Sequence, residues 1–160
     1  MIDAPTTTGS TSILIAAEAF DDVGGWDLHS ELPTGTPYLH AHGNGRPVAD
    51  ASTTIAISER GSFDVWVRVD DSAVSHAPGR FTVTIDDTTL SPEFGARTRG
   101  WAWQFGGVVA LRRGDVRIVV HDLTGLDGRC DAIYLTRGGD APVNASDAVR
   151  AGHDEGRGPR

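Results

Sequence analysis

The stretch FDVWVRVD, residues 63–70, decides the fold. Phe63, Val65, Val67 and Val69 alternate with Asp64, Trp66, Arg68 and Asp70. An apolar residue at every second position is the pattern of a strand with one face in a core. Residues 80–86 (RFTVTID) repeat the pattern, with Phe81, Val83 and Ile85 inward. Working outward, residues 13–20 (ILIAAEAF), 53–57 (TTIAI), 108–111, 116–123 (VRIVVHDL) and 130–136 (CDAIYLT) read as further strands. Turn signals separate several of them: Asp86-Asp87, Arg113-Gly114-Asp115 and Asp127-Gly128. Only a weak turn near residues 145–150 hints at a helix. Seven or so short strands without helices predict an all-β sandwich or barrel.

The rest of the chain frames this block. Residues 1–12 are rich in Thr, Ser and Gly and predict a disordered segment. Residues 13–137 predict one sandwich domain. Residues 138–160 have the polar, Gly-rich composition of a tail or linker. Residues 21–51 read as a long loop, rich in Gly, Pro, Asp, His and Asn; loops of that length are usually functional or locally structured. A 160-residue chain buries enough surface to need no disulfide or metal. The single cysteine, Cys130, lies in an apolar run and reads as a small buried side chain.

Charge and motifs exclude several functions. The formal net charge is −8, which disfavours nucleic acid, whose binding draws on basic residues meeting phosphates. No apolar run reaches the length of a membrane span. The first residues carry neither the basic stretch nor the apolar run of a secretory signal. There is no G-x-S-x-G elbow and no phosphate-binding loop. The acidic pairs Asp21-Asp22, Asp70-Asp71 and Asp86-Asp87 read as turn residues capping backbone groups.

Four groups of residues carry possible chemistry. In WAWQF, Trp101, Trp103 and Phe105 share one face if the segment is a strand. Flat rings suit the C–H face of a pyranose, or they anchor a core or loop. Trp66 falls on the polar face beside Arg68 and reads as structural, covered by the long loop or stacked on an arginine. In the long loop, Trp26 and Tyr38 add rings, and His40 and His42 point the same way on a strand. Such a histidine pair, with His121 and Asp122, can serve a catalytic metal if all converge. Otherwise the histidines are loop hydrogen-bonders, with Gly43-Asn44-Gly45 making a tight turn. Asp131 shares a strand face with Ile133 and Leu135, so it reads as an inward carboxylate in need of a partner. Calcium, Arg129 or backbone N–H groups would each serve.

Taken in order, ILIAAEAF, GSFDVWVRV, PGRFTVTID, GWAWQFGG and HDLTGLDGRCDAIYLT resemble a β-sandwich module of bacterial proteins that act on polysaccharides. The chain is similar in outline to carbohydrate-binding modules of families six and thirty-five. It is most similar to the module adjoining flavin-dependent oxidoreductase domains, including those of xanthan-lyase-like proteins. The resemblance implies a jelly-roll-type antiparallel sandwich, usually non-catalytic and extracellular, covalently joined to an enzyme, with Ala141-Pro142-Val143-Asn144 as the start of a linker. It implies a structural calcium held by Glu18 and Asp131, although Ala16 stands where the family has a further acid.

The expected ligand is a poly- or oligosaccharide. The expected contacts are Trp26, Tyr38, His40, His42, Trp101, Trp103, Gln104 and Arg129. The alternatives are a docking sandwich that meets no sugar, and a small metal-dependent hydrolase on His40, His42, His121 and Asp122. An exposed aromatic platform separates the first from the second, since sugar binding needs one and docking does not.

Overall fold

The structure, a computed structural model, describes residues 12–30, 37–70, 79–95 and 101–137. Residues 1–11 of the segment expected to be disordered, the tail-like residues 138–160 with the turn near 145–150, and Asp71 lie outside these residues; Ser12, expected in the disordered segment, instead opens the first strand. The described strands are β1 (Ser12–Ala16), β2 (Asp27–His29), β3 (Tyr38–His42), β4 (Ala51–Ile57), β5 (Gly61–Asp70), β6 (Phe81–Ile85), β7 (Thr88–Thr89), β8 (Trp101–Leu111), β9 (Gly114–Asp122) and β10 (Leu126–Thr136). They make a jelly-roll-type antiparallel β-sandwich. One sheet runs β2-β3-β10-β5-β8, with β1 beside the second half of β10; the other runs β4-β9-β6-β7. Among the described residues no helix is long and apolar enough to cross a membrane.

Alternation builds the core as expected. Phe63, Val65, Val67 and Val69 of β5 are all buried, with Ile133 and Leu135 of β10 beside them. Across the gap, the buried residues are Val83 and Ile85 of β6 and Ile118 and Val120 of β9. Cys130 is buried too, and burial, with the charge of Asp131 added, pushes its thiol pKa up. It is a packed side chain and not a reactive thiolate.

Three elements differ from expectation. The first strand stops at Ala16, and Ala17–Ala19 form a 3-10 turn. Ala and Glu fit a pleated sheet poorly, which ends the strand before Glu18. Residues 21–51 are less loop-like than their composition: β2 and β3 lie within them and pair with each other. Residues 101–111 form one continuous strand. Its register shifts opposite Val65 and Trp66, where Gly107 takes a φ of 116°. Only glycine adopts that angle readily.

The turn after β3 is built by Gly43-Asn44-Gly45, as read. The N–H groups of Gly43 and Gly45 donate to the Gly125 carbonyl at 3.0 and 3.1 Å. Asp122 fixes the facing loop: its carboxylate accepts from the backbone N–H groups of Val48 (2.9 Å), Gly125 (3.0 Å) and Thr124 (3.2 Å). The histidine end of β3 is thereby held against the start of β10.

Candidate functional site: the outer face of the larger sheet

Half of each strand in a sandwich faces away from the core. On the smaller sheet, that outer half is what solvent demands. It carries Thr54, Arg117 and His121, all exposed, and Thr82 and Thr84, partly so. The larger sheet is different. Its outer half carries rings and paired charges, several of them buried.

Pairing registers set the layout. On β5, Asp70 lies opposite Trp101, Arg68 opposite Trp103 and Trp66 opposite Phe105. On the other side of β5, Trp66 lies opposite Tyr134 and Arg68 opposite Ala132. Beyond β10, Arg129 lies opposite His40, which in turn lies opposite Asp27; His29 lies opposite Tyr38. Directly opposed residues point to the same face. One surface therefore gathers residues from five strands.

Two ion pairs lie at its centre. Arg68 Nη1 donates to Asp131 Oδ2 at 3.0 Å, and Arg129 Nη1 to Asp70 Oδ2 at 3.1 Å. Arg68, Asp70 and Asp131 are only 6%, 7% and 3% exposed, although they face away from the core. Aromatic rings help to cover them. The Arg68 guanidinium lies 5.3 Å from the Trp101 ring centre, and that of Arg129 lies 5.8 Å from the Tyr38 ring centre. Trp101 and Tyr38 come from strands three apart, yet their rings meet at 5.0 Å. Positive charge over a π-face is favourable, and more so when water is excluded.

From this centre the rings extend both ways. Toward β2, Tyr38, His29, His40 and His42 follow one another at 5.4, 5.5 and 5.7 Å. Toward the other end, Trp103 meets Tyr134 at 5.9 Å and Trp66 meets Phe105 at 4.9 Å.

Of the eight residues expected to contact ligand, the structure brings six onto this face: Tyr38, His40, His42, Trp101, Trp103 and Arg129. Two are corrected. Trp26 is a core ring, 1% exposed, and packs edge-on against Phe81 at 5.6 Å. The turn at Gly24, with φ of 59°, sends it inward. Gln104 opposes Val67, so it points opposite to the tryptophans, and its Nε2 donates to the Glu93 carbonyl at 3.1 Å.

Asp131 also changes face. The β10 register shifts between Cys130 and Ala132, a bulge that leaves Cys130 and Ile133 in the core and turns Asp131 to the outer face. Its partner is Arg68; Arg129, which the sequence offered, takes Asp70 instead. Glu18 is exposed on the 3-10 turn. These residues do not fit a calcium ion as they stand, because the Asp131 carboxylate is bound to a guanidinium. The metal-hydrolase alternative also fails on geometry. His121 lies on the smaller sheet, with Nδ1 2.7 Å from Asp50 Oδ1, and Asp122 is spent on backbone N–H groups. Among the described residues no three or more His, Cys, Asp and Glu side chains are grouped to hold a metal.

Sequence reasoning set Arg68 and Asp70 on the polar side of β5 but gave them no part in the site, left out Tyr134 and His29, and took Trp66 as structural. For the first three, the signal was their place between the core residues of β5 and β10.

No protein-family model matches the sequence, and no curated protein does. Solved structures do. The GH26-CBM35 β-(1,4)-mannanase of Podospora anserina is 17% identical, with a TM-score of 0.60 over 78% of this chain and 27% of its own. The C-terminal CBM6 of LamC, a marine laminarinase from Zobellia galactanivorans, is 16% identical, with a TM-score of 0.60 over 79% of this chain and 100% of its own. The fold is that of a carbohydrate-binding module. A family 35 carbohydrate binding module from Clostridium thermocellum agrees, at 15% identity and a TM-score of 0.58, covering 78% of this chain and 97% of that module. This chain thus spans just over a quarter of the mannanase but the whole of the isolated LamC module.

Two outcomes follow from the ion pair. Asp131→Ala strands a buried guanidinium and should lower unfolding free energy in urea by about 3–5 kcal/mol. Added calcium or a chelator should leave the melting temperature of the wild-type protein unchanged. A rise of several degrees with calcium would restore the metal site.

Proposed function

We propose that this chain is a non-catalytic carbohydrate-binding module whose ligand lies on the outer face of the larger sheet. The observation that carries this reading is the contrast between the two outer faces. One holds hydroxyls and solvated charges; the other gathers indole, phenol and imidazole rings around neutralised ion pairs. A solvent-facing sheet has no need of three tryptophans. A pyranose does, since its C–H face packs on a ring while its hydroxyls take hydrogen bonds from polar neighbours.

In this reading Trp101 and Trp103 are the stacking rings. Tyr38, almost fully buried, backs Trp101 and keeps it upright. His40 and His42 lie beside them and can donate or accept according to tautomer. Arg129 is tethered by Asp70, so it offers directed N–H groups without a net charge that would favour an acidic sugar over a neutral one. No acid–base pair or nucleophile is needed, because the sugar is held and not cleaved.

Two of the similar modules belong to a mannanase and a laminarinase, which supports an accessory role: this domain would hold a covalently linked enzyme near its polymer. The xanthan-lyase-like setting suggested by the sequence is one such arrangement.

A pull-down with insoluble β-1,4-mannan and β-1,3-glucan tests the reading. Wild type should be retained by at least one of them. Trp103→Ala should lose roughly tenfold in affinity for that polymer, about 1.4 kcal/mol. Retention of the variant equal to that of wild type would remove this ring from the site.

A further inference from the structure

A second ring cluster lies at the far end of the same face. Leu14, Tyr134, Trp66 and Phe105 form one continuous cross-strand row over four strands. Leu14 is 45% exposed and Phe105 44%. Exposed apolar surface of this kind costs stability when nothing covers it. Lying beside the tryptophans already assigned to sugar, Leu14 and Phe105 describe a contact area whose occupant supplies apolar C–H surface.

We propose that this row is a second sugar subsite, and that the module grips an internal stretch of a linear, unbranched oligosaccharide rather than a chain end. The inference rests on the carbohydrate reading above and extends it. At about 3.3 Å per residue, Trp101 and Phe105 stand roughly 13 Å apart along β8. No single pyranose reaches from one to the other. Trp103 lies between them and touches Tyr134, so the platform is unbroken. Its rings repeat every second residue along β8. A flat chain laid along such a face meets a ring at each repeat; a chain end meets only one.

Calorimetric titration with β-1,4-manno- and β-1,3-gluco-oligosaccharides of increasing length, from a disaccharide to a hexasaccharide, tests this. For the series that binds, Kd should fall at least tenfold from the shortest to the longest member. Phe105→Ala, at an exposed position, should raise Kd for the longest member to near that of the shortest. Its thermal unfolding, measured beside that of wild type, shows that the variant is folded. Equal Kd at all lengths, or a Phe105→Ala variant that binds the longest member like wild type, would overturn the proposal and leave the row to a protein partner. Binding at no length in either series would instead sink the sugar reading itself, and this proposal with it.

Discussion

The second half of β5, the strand between β10 and β8 in the larger sheet, is buried on both faces from Val67 to Asp70. One face is the apolar core. On the other, Arg68 and Asp70 are nearly as enclosed as the valines behind them. A charge out of water must be paired, and this requirement organises the outer face. Asp131 must meet Arg68, and Arg129 must meet Asp70, so β10 is locked to β5 at two successive outward positions. The bulge in β10 is what makes this possible, because without it Asp131 would fall on the core side. Trp101 and Tyr38 then close over the guanidinium groups and exclude water from them. The ring platform and the ion pairs are thus one construction. The charges fix where the strands lie, and the rings make it tolerable to bury the charges.

In the proposed reading, this construction suits the platform to a neutral, polyhydroxylated ligand. Its central arginines are already balanced by aspartates, so the face offers directed hydrogen bonds without strong net attraction for anions. Its aromatic surface is contiguous, yet each ring leans on another, which limits the entropy lost when a ligand settles on them. The smaller sheet, with its threonines and solvated charges, has no comparable surface and serves as the other wall of the core.

Much of this was legible in the sequence, and the parts that were not share a cause. Alternation in residues 63–70 and 80–86 gave the core strands and their inward sides. The same period placed Trp101, Trp103 and Phe105 together, and His40 with His42. It also puts Gln104 on the opposite side of its strand, a signal available in WAWQF itself. What periodicity lacks is register. A bulge moves one residue across the sheet, and its position depends on a strand pair formed far along the chain; so Asp131 read as inward, with calcium, Arg129 or backbone N–H groups as partners, and Arg68 was not among them. Trp26 was misread because a glycine turn in a loop gives no face to count from. Strands β2 and β3 were hidden by their polar, Gly-rich surroundings, although Tyr38–His42 alternates as well as any strand in the fold.

The most direct test of the account follows the four indole N–H signals of the protein by NMR during titration with the longest bound oligosaccharide. The ligand should shift the signals of Trp66, Trp101 and Trp103, which lie on the outer face, and leave that of Trp26 in place. A shift confined to Trp26, or saturation of binding with all three outer indoles unmoved, would contradict the assignment of the larger sheet's outer face as the ligand surface.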